Sequence, residues 1–109
     1  MRHDAEFDEQ NETMLAAIWQ RHRPIVLERL NLLDRAASAA MEDTLSLELH
    51  EEAAEVAHKL AGSLGMYGYD EGTRVAREIE TMLLEDAVSD PARLWSLAVE
   101  LRRVVFPVM

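Results

Sequence analysis

The chain of 109 residues contains no cysteine, only four glycines and three prolines, and aromatic side chains make up 6% of it. Without cysteine there is no disulfide framework and no thiolate chemistry. So few glycines and prolines leave little material for the turns of an all-β fold. No apolar run approaches the roughly 20 residues that cross a bilayer, and the polar first dozen residues lack a signal-peptide pattern. These absences predict a helical, cytoplasmic protein.

Positive charge is also scarce, because 11 Lys and Arg stand against 21 Asp and Glu, for a net charge of −10 at pH 7. Nucleic acids and anionic membranes both favour basic surfaces, so neither is an expected partner. The charge is compatible with a monomer whose acidic surface is only solvated, or with a locally basic protein partner. Hydrophobic residues make up 49% of the chain, enough for the core of one domain.

Apolar periodicity begins near Asn11 and predicts a first amphipathic helix from there. Residues 1–10 carry no such pattern and are interpreted as a flexible lead-in to a helical bundle over residues 11–109. Pro24 interrupts the helix, and an interior proline costs about 3 kcal/mol. Because the apolar phase continues past Pro24, we expect a helix that is kinked or split between Arg21 and Pro24.

Three further helices follow at short intervals. The apolar stripe after a polar connector predicts a second helix from about Leu47 to Met66, and Asp70 suits the start of a third. Asp90 followed by Pro91 is a strong signal for the start of a fourth. Short connectors between helices of this length imply antiparallel neighbours. The predicted fold is an all-α, antiparallel, up-and-down four-helix bundle.

One histidine in the second helix is surrounded by small side chains. At 100° per residue, His58 points roughly 150° away from the apolar stripe, whereas Leu60 points inward. The neighbours of the histidine on its own face are Ala54, Ala61, Gly62 and Gly65. A glycine inside a helix costs about 0.5–1 kcal/mol relative to alanine. We interpret these four residues as a docking surface that lets another protein reach the imidazole.

Histidine is suited to carrying a transferable group, since its ordinary pKa of about 6.5 leaves a neutral, nucleophilic nitrogen at neutral pH. A phosphoryl group on that nitrogen would be reactive enough to pass to a carboxylate. The plain alternative is an ordinary exposed histidine in a purely structural bundle, but this leaves Gly62 and Gly65 without an explanation.

The pattern resembles the histidine-containing phosphotransfer (HPt) domain family, small helical bundles that relay phosphoryl groups between aspartates of response-regulator receiver domains. The residues that carry the resemblance are His58, Leu60, Gly62, Ser63 and Gly68, followed by the run Val75 to Glu80. At the level of the motif, the resemblance covers about residues 54–83 and in outline the whole bundle.

The resemblance implies that His58 is the phosphorylation site, at Nε2, and that Gly62 admits the partner. The implied partners are a receiver domain, a histidine kinase or both. The chain shows no glycine loop for ATP, so we expect a phosphoryl carrier and not an enzyme. No cofactor or metal site is expected on this chain, because the receiver domain would supply the aspartate and Mg²⁺.

The chain departs from the family at one position, because the lysine often found three residues after the histidine is Ala61 here. The adjacent Lys59 is a candidate support for the phosphoryl group, with a solvated lysine as the alternative. Glu51 and Glu55 lie on the histidine's side and would repel a phosphoryl group. These features leave open a second function, an HPt-like adaptor that binds a receiver or kinase without phosphotransfer.

Two arginines of the third helix, Arg74 and Arg77, are candidates for positive charge near the partner surface. The alternative for both is an ordinary surface salt bridge.

Overall fold

The computed structural model describes residues 2–107, with side chains from residue 13 onward. Within this range there are four α-helices, one short 3₁₀ turn and no strand. The elements are α1 (Arg2–Met41), α2 (Leu47–Leu64), the 3₁₀ turn (Gly65–Tyr67), α3 (Asp70–Leu83) and α4 (Pro91–Val105). Each helix packs against its neighbour in the chain, and α4 closes the ring against α1. The predicted all-α four-helix bundle is confirmed.

Helix α1 is continuous through Pro24, so of the two predicted alternatives, a kink or a split, the split does not occur. It also begins at Arg2, ahead of the predicted start near Asn11. The physical reason is packing on both sides of the proline: Trp19 packs against the core before it, and Val26 and Leu30 are buried after it. Burying one such aliphatic side chain contributes about 1.5–3 kcal/mol, which offsets the cost of the proline. The flexible lead-in over residues 1–10 stays a prediction, because the side chains of residues 1–12 lie outside the described part.

The core is aliphatic, and no charged or polar residue with a described side chain is buried in it. Its largest fully buried side chains come from all four helices: Val26, Leu30, Leu60, Leu64, Val75, Ile79, Leu94, Leu97 and Leu101. Between residues 2 and 107, no helix is both long and apolar enough to span a membrane.

The helix ends follow the capping signals of the sequence with one difference. Asp90 accepts a hydrogen bond from the backbone N–H of Arg93 at 3.0 Å, as expected of a capping residue before Pro91. Helix α2 ends at Leu64 and not at Met66, because the next residues tighten into the 3₁₀ turn. Gly68 then adopts a φ of 84°, a left-handed conformation that favours glycine. This turn sends α3 back along α2.

His50 ties the beginning of α2 to the end of α3. Its Nε2 lies 2.7 Å from the backbone carbonyl oxygen of Leu83 and donates a hydrogen bond to it. Carbonyls of the last helical turn have no partner within their own helix, so this bond satisfies one of them. This partner cannot be identified from the sequence of α2 alone, because Leu83 lies on the neighbouring helix.

Replacing His50 with alanine is expected to reduce the free energy of unfolding by about 1 kcal/mol, the net contribution of one such hydrogen bond. In a domain of this size, that corresponds to a fall in Tm of about 4–8 °C. Thermal denaturation followed by circular dichroism measures it. The matched control is His50→Gln, which retains a donor and is expected to recover part of the loss. Equal Tm values for wild type and His50→Ala would show that the bond adds no stability.

Candidate functional site

His58 stands on the outer face of α2, at the seam with α3. Its side chain is 75% exposed, which confirms the predicted orientation away from the core. Leu60, two residues later, is fully buried. The helical phase of α2 therefore fixes the imidazole on the surface, where another molecule can reach it.

Glu80 of α3 orients the imidazole ring. Its Oε2 lies 2.7 Å from His58 Nδ1, and its side chain is only 21% exposed. Because an ionised carboxylate can only accept a hydrogen bond, the proton of the neutral ring resides on Nδ1. Nε2 then keeps its lone pair, and no side chain among residues 13–107 forms a hydrogen bond with it. The arrangement presents Nε2 to solvent as the nucleophile.

Sequence reasoning missed the role of Glu80. In the sequence, Glu80 is only the last residue of the run from Val75 that carries the family resemblance. Nothing in the sequence of α2 or α3 alone shows which residues of the two helices face each other. The length of the connection between α2 and α3 was the one signal in the sequence that could have indicated Glu80. It gives an approximate register between the two antiparallel helices.

The four small residues around His58 differ in their surroundings. A Cβ built on Gly62 would meet no atom within 4 Å, whereas one built on Gly65 would lie 3.3 Å from Thr73 Oγ1. Ala54 is half-buried against the core, and Ala61 is only 7% exposed. Gly62 is thus the open position beside the histidine, and Gly65 also allows close approach of α3. Their role in partner docking stays a prediction.

Lys59 lies beside the histidine in sequence but is engaged elsewhere. Its Nζ lies 3.4 Å from Oε1 of Glu55, one turn earlier on the same helix, and both side chains are exposed. Consecutive helical residues diverge by about 100°, so Lys59 projects away from the seam that holds His58. Its support of a phosphoryl group stays a prediction.

The two arginines of α3 have different environments. Arg74 forms ion pairs with Glu71, with Glu78 at 2.8 Å and with Glu100 of α4 at 3.4 Å. Its hydrogen bond to Glu71 lowers the pKa of that carboxyl group. Arg77 is exposed, and no carboxylate among residues 13–107 lies within 4.0 Å of its guanidinium. Arg74 is therefore a surface salt-bridge residue, whereas Arg77 is not.

Comparison with known proteins identifies the family of the chain. The family model described as Hpt domain matches residues 26–104, which is most of the chain, and the chain therefore belongs to the Hpt domain family. The family defines a histidine phosphotransfer module of phosphorelays, a carrier and not a self-contained kinase. Its partners are response regulators or kinases of two-component systems.

The chain is also similar to protein RcaC of Microchaete diplosiphon, with 32% identity over 65 residues. The match covers 60% of this chain and 10% of that protein, so this chain corresponds to a small part of the curated relative. No solved structure matches this chain at a significant level.

Proposed function

We propose that this chain is a phosphorelay intermediate that carries a phosphoryl group on Nε2 of His58. It exchanges that group with the aspartate of a response-regulator receiver domain, or receives it from a histidine kinase. The observation that carries the proposal is the 2.7 Å bond between Glu80 and Nδ1 of an imidazole that is 75% exposed. That geometry leaves one ring nitrogen both nucleophilic and accessible.

The transfer needs no acid or base from this chain. The Nε2 lone pair attacks the phosphorus of the aspartyl phosphate, and the N–P bond forms as the P–O bond to the aspartate breaks. The aspartate leaves as a carboxylate with the electron pair of that bond. The imidazole gains a positive charge, which the carboxylate of Glu80 stabilises through the proton on Nδ1. Donation to a second receiver is the reverse step.

The Mg²⁺ required by aspartyl phosphate chemistry would be held by the partner receiver domain. In the proposed reaction this chain contributes only His58 and the carboxylate of Glu80 that orients it, and the receiver domain contributes the aspartate and the metal ion. Neither ATP nor another cofactor enters the step as written.

A second candidate function is the adaptor, which binds a receiver or kinase domain without phosphotransfer. It is favoured by Ala61 at the position of the family's usual lysine, and by the acidic Glu51 and Glu55 near His58. The pairing of Glu55 with Lys59 weakens this argument, because it offsets one of the two negative charges.

The test is incubation of the chain with receiver domains that have been phosphorylated by acetyl phosphate. Under the proposal, acid-labile and alkali-stable phosphate accumulates on the chain, and tandem mass spectrometry locates it on His58. Binding by isothermal titration calorimetry without transfer would establish the adaptor instead. Phosphate on a different residue would contradict both functions.

A further inference from the structure

Resting on the proposed function, we infer that Arg77 supplies the positive charge that holds the phosphoryl group on His58. This places the cation on α3, the helix opposite the histidine, and not on α2. It also replaces Lys59, the candidate that the sequence suggested.

The register between α2 and α3 places Arg77 next to the site. Two contacts define this register: His58 faces Glu80 at 2.7 Å, and a Cβ on Gly65 would lie 3.3 Å from Thr73. In an antiparallel pair, one step forward on one helix corresponds to one step backward on the other. Arg77, one turn before Glu80, therefore lies at the level of Ala61, one turn after His58.

That level is where the family often has its lysine, so the chain retains a cation there on the facing helix. Residues three apart on a helix lie on the same side, which places Arg77 on the side of α3 that Glu80 presents to α2. Arg74 instead extends toward Glu100 on α4. Of the two arginines of α3, Arg77 is thus the one placed on the side of the helix next to the phosphoryl site.

The space around the site suits a long side chain. Gly62 lies at nearly the same level along the helix. A Cβ built on Gly62 would meet no atom within 4 Å. A guanidinium that extends toward Nε2 therefore meets no side chain at this glycine. Its planar array of N–H donors matches the oxygens of a phosphoryl group, whereas an ammonium acts as a point charge.

The acidic residues near His58 favour a cation at this position. A phosphoryl group on Nε2 would lie close to Glu80 and on the same side as Glu51, and both carboxylates repel it. Lys59 is already paired with Glu55 at 3.4 Å. Arg77 has no such pair among the described side chains, so it can bind the phosphoryl oxygens without breaking an existing contact.

The test uses potassium phosphoramidate as the phosphoryl donor, which removes the partner from the measurement. Nε2 of His58 attacks the phosphorus, the P–N bond of phosphoramidate breaks, and ammonia leaves after taking up a proton from solvent. The variants are Arg77→Gln and Arg77→Lys. The controls are Lys59→Gln, for the competing cation, and Arg103→Gln, an exposed arginine on α4. Thermal denaturation verifies that each variant is folded.

Two quantities are measured: the rate of phosphohistidine formation and the pH titration of the phosphoryl group by ³¹P NMR. Arg77→Gln is expected to slow formation by about tenfold and to raise the phosphoryl pKa by about half a unit, since an exposed cation is partly screened. Arg77→Lys should recover most of both effects, and Arg103→Gln should match wild type.

Wild-type values for Arg77→Gln in both measurements would overturn the inference while leaving the proposed function intact. The same losses in Lys59→Gln alone would assign the cation to Lys59. If the wild-type chain forms no phosphohistidine from phosphoramidate or from any phosphorylated receiver, the proposed function fails, and the inference fails with it.

Discussion

Replacing His58 with glutamine is expected to abolish phosphoryl uptake from a phosphorylated receiver domain. The glutamine amide nitrogen shares its lone pair with the carbonyl group and is not a nucleophile, but it can still donate a hydrogen bond to Glu80. Because the His58 side chain is 75% exposed, the fold should not depend on it. Acid-labile phosphate on the variant should therefore remain at background while its Tm stays close to that of wild type.

The contrasting variant for this measurement is Glu80→Gln, which retains the nucleophile and removes the orienting charge. Its side-chain carbonyl can still accept from Nδ1, but it no longer stabilises the positive charge that the imidazole gains. Transfer should be slower by roughly 10- to 100-fold, without being lost. Uptake by His58→Gln at the wild-type rate would exclude His58 as the phosphorylation site. An unchanged rate in Glu80→Gln would limit that residue to a structural contact.

The exposure of His58 could be predicted because it depends on the phase of one helix. The apolar stripe of α2 is continuous in the sequence, and the burial of Leu60 follows from the same periodicity. The capping residue Asp90 was predictable for a similar reason, since its partner Arg93 lies in the next turn of the chain. Features that depend only on residues within one or two helical turns can thus be predicted from the sequence alone.

The partners of His58 and His50 could not be predicted, because both come from α3. Which side chain of α3 meets each one depends on where α2 ends and on the left-handed turn at Gly68. A shift of α2's end from Met66 to Leu64 changes the facing residues by half a turn. For the same reason the sequence could not rank the candidate cations, since Lys59 lies on the helix of His58 and Arg74 and Arg77 lie on α3.

Pro24 shows how tertiary packing decides between two alternatives that a local rule leaves open, a kinked helix and a split one. The rule that an interior proline interrupts a helix considers the backbone alone. In the bundle, Trp19 packs against Tyr67 and Tyr69 at ring-centroid distances of 5.1 and 5.2 Å. This contact holds the first half of α1 in place, while buried Val26 holds the second. Tertiary packing therefore keeps α1 a single helix, where local propensity left one helix or two open.

Replacing Gly62 with tyrosine is expected to separate docking from chemistry. The aromatic ring would occupy the open surface beside His58, so a receiver domain could no longer bring its aspartyl phosphate to Nε2. Transfer from the receiver should fall by about a hundredfold, as steric overlap at an interface costs several kcal/mol. Phosphoramidate is small enough to reach the imidazole past the ring, and its rate should fall much less. Both rates are measured as phosphohistidine formed over time.

Two further variants determine why this position is glycine. Gly62→Ala meets no atom within 4 Å and should raise the free energy of unfolding by about 0.5–1 kcal/mol through helix propensity. Glu52→Tyr, on an exposed part of α2 that faces away from His58, should leave both transfer rates unchanged. If Gly62→Tyr accepts phosphate from the receiver at the wild-type rate, partner access does not explain the glycine. If only the receiver reaction is lost, then Gly62 lowers the free energy of unfolding relative to alanine but allows a protein partner to reach His58.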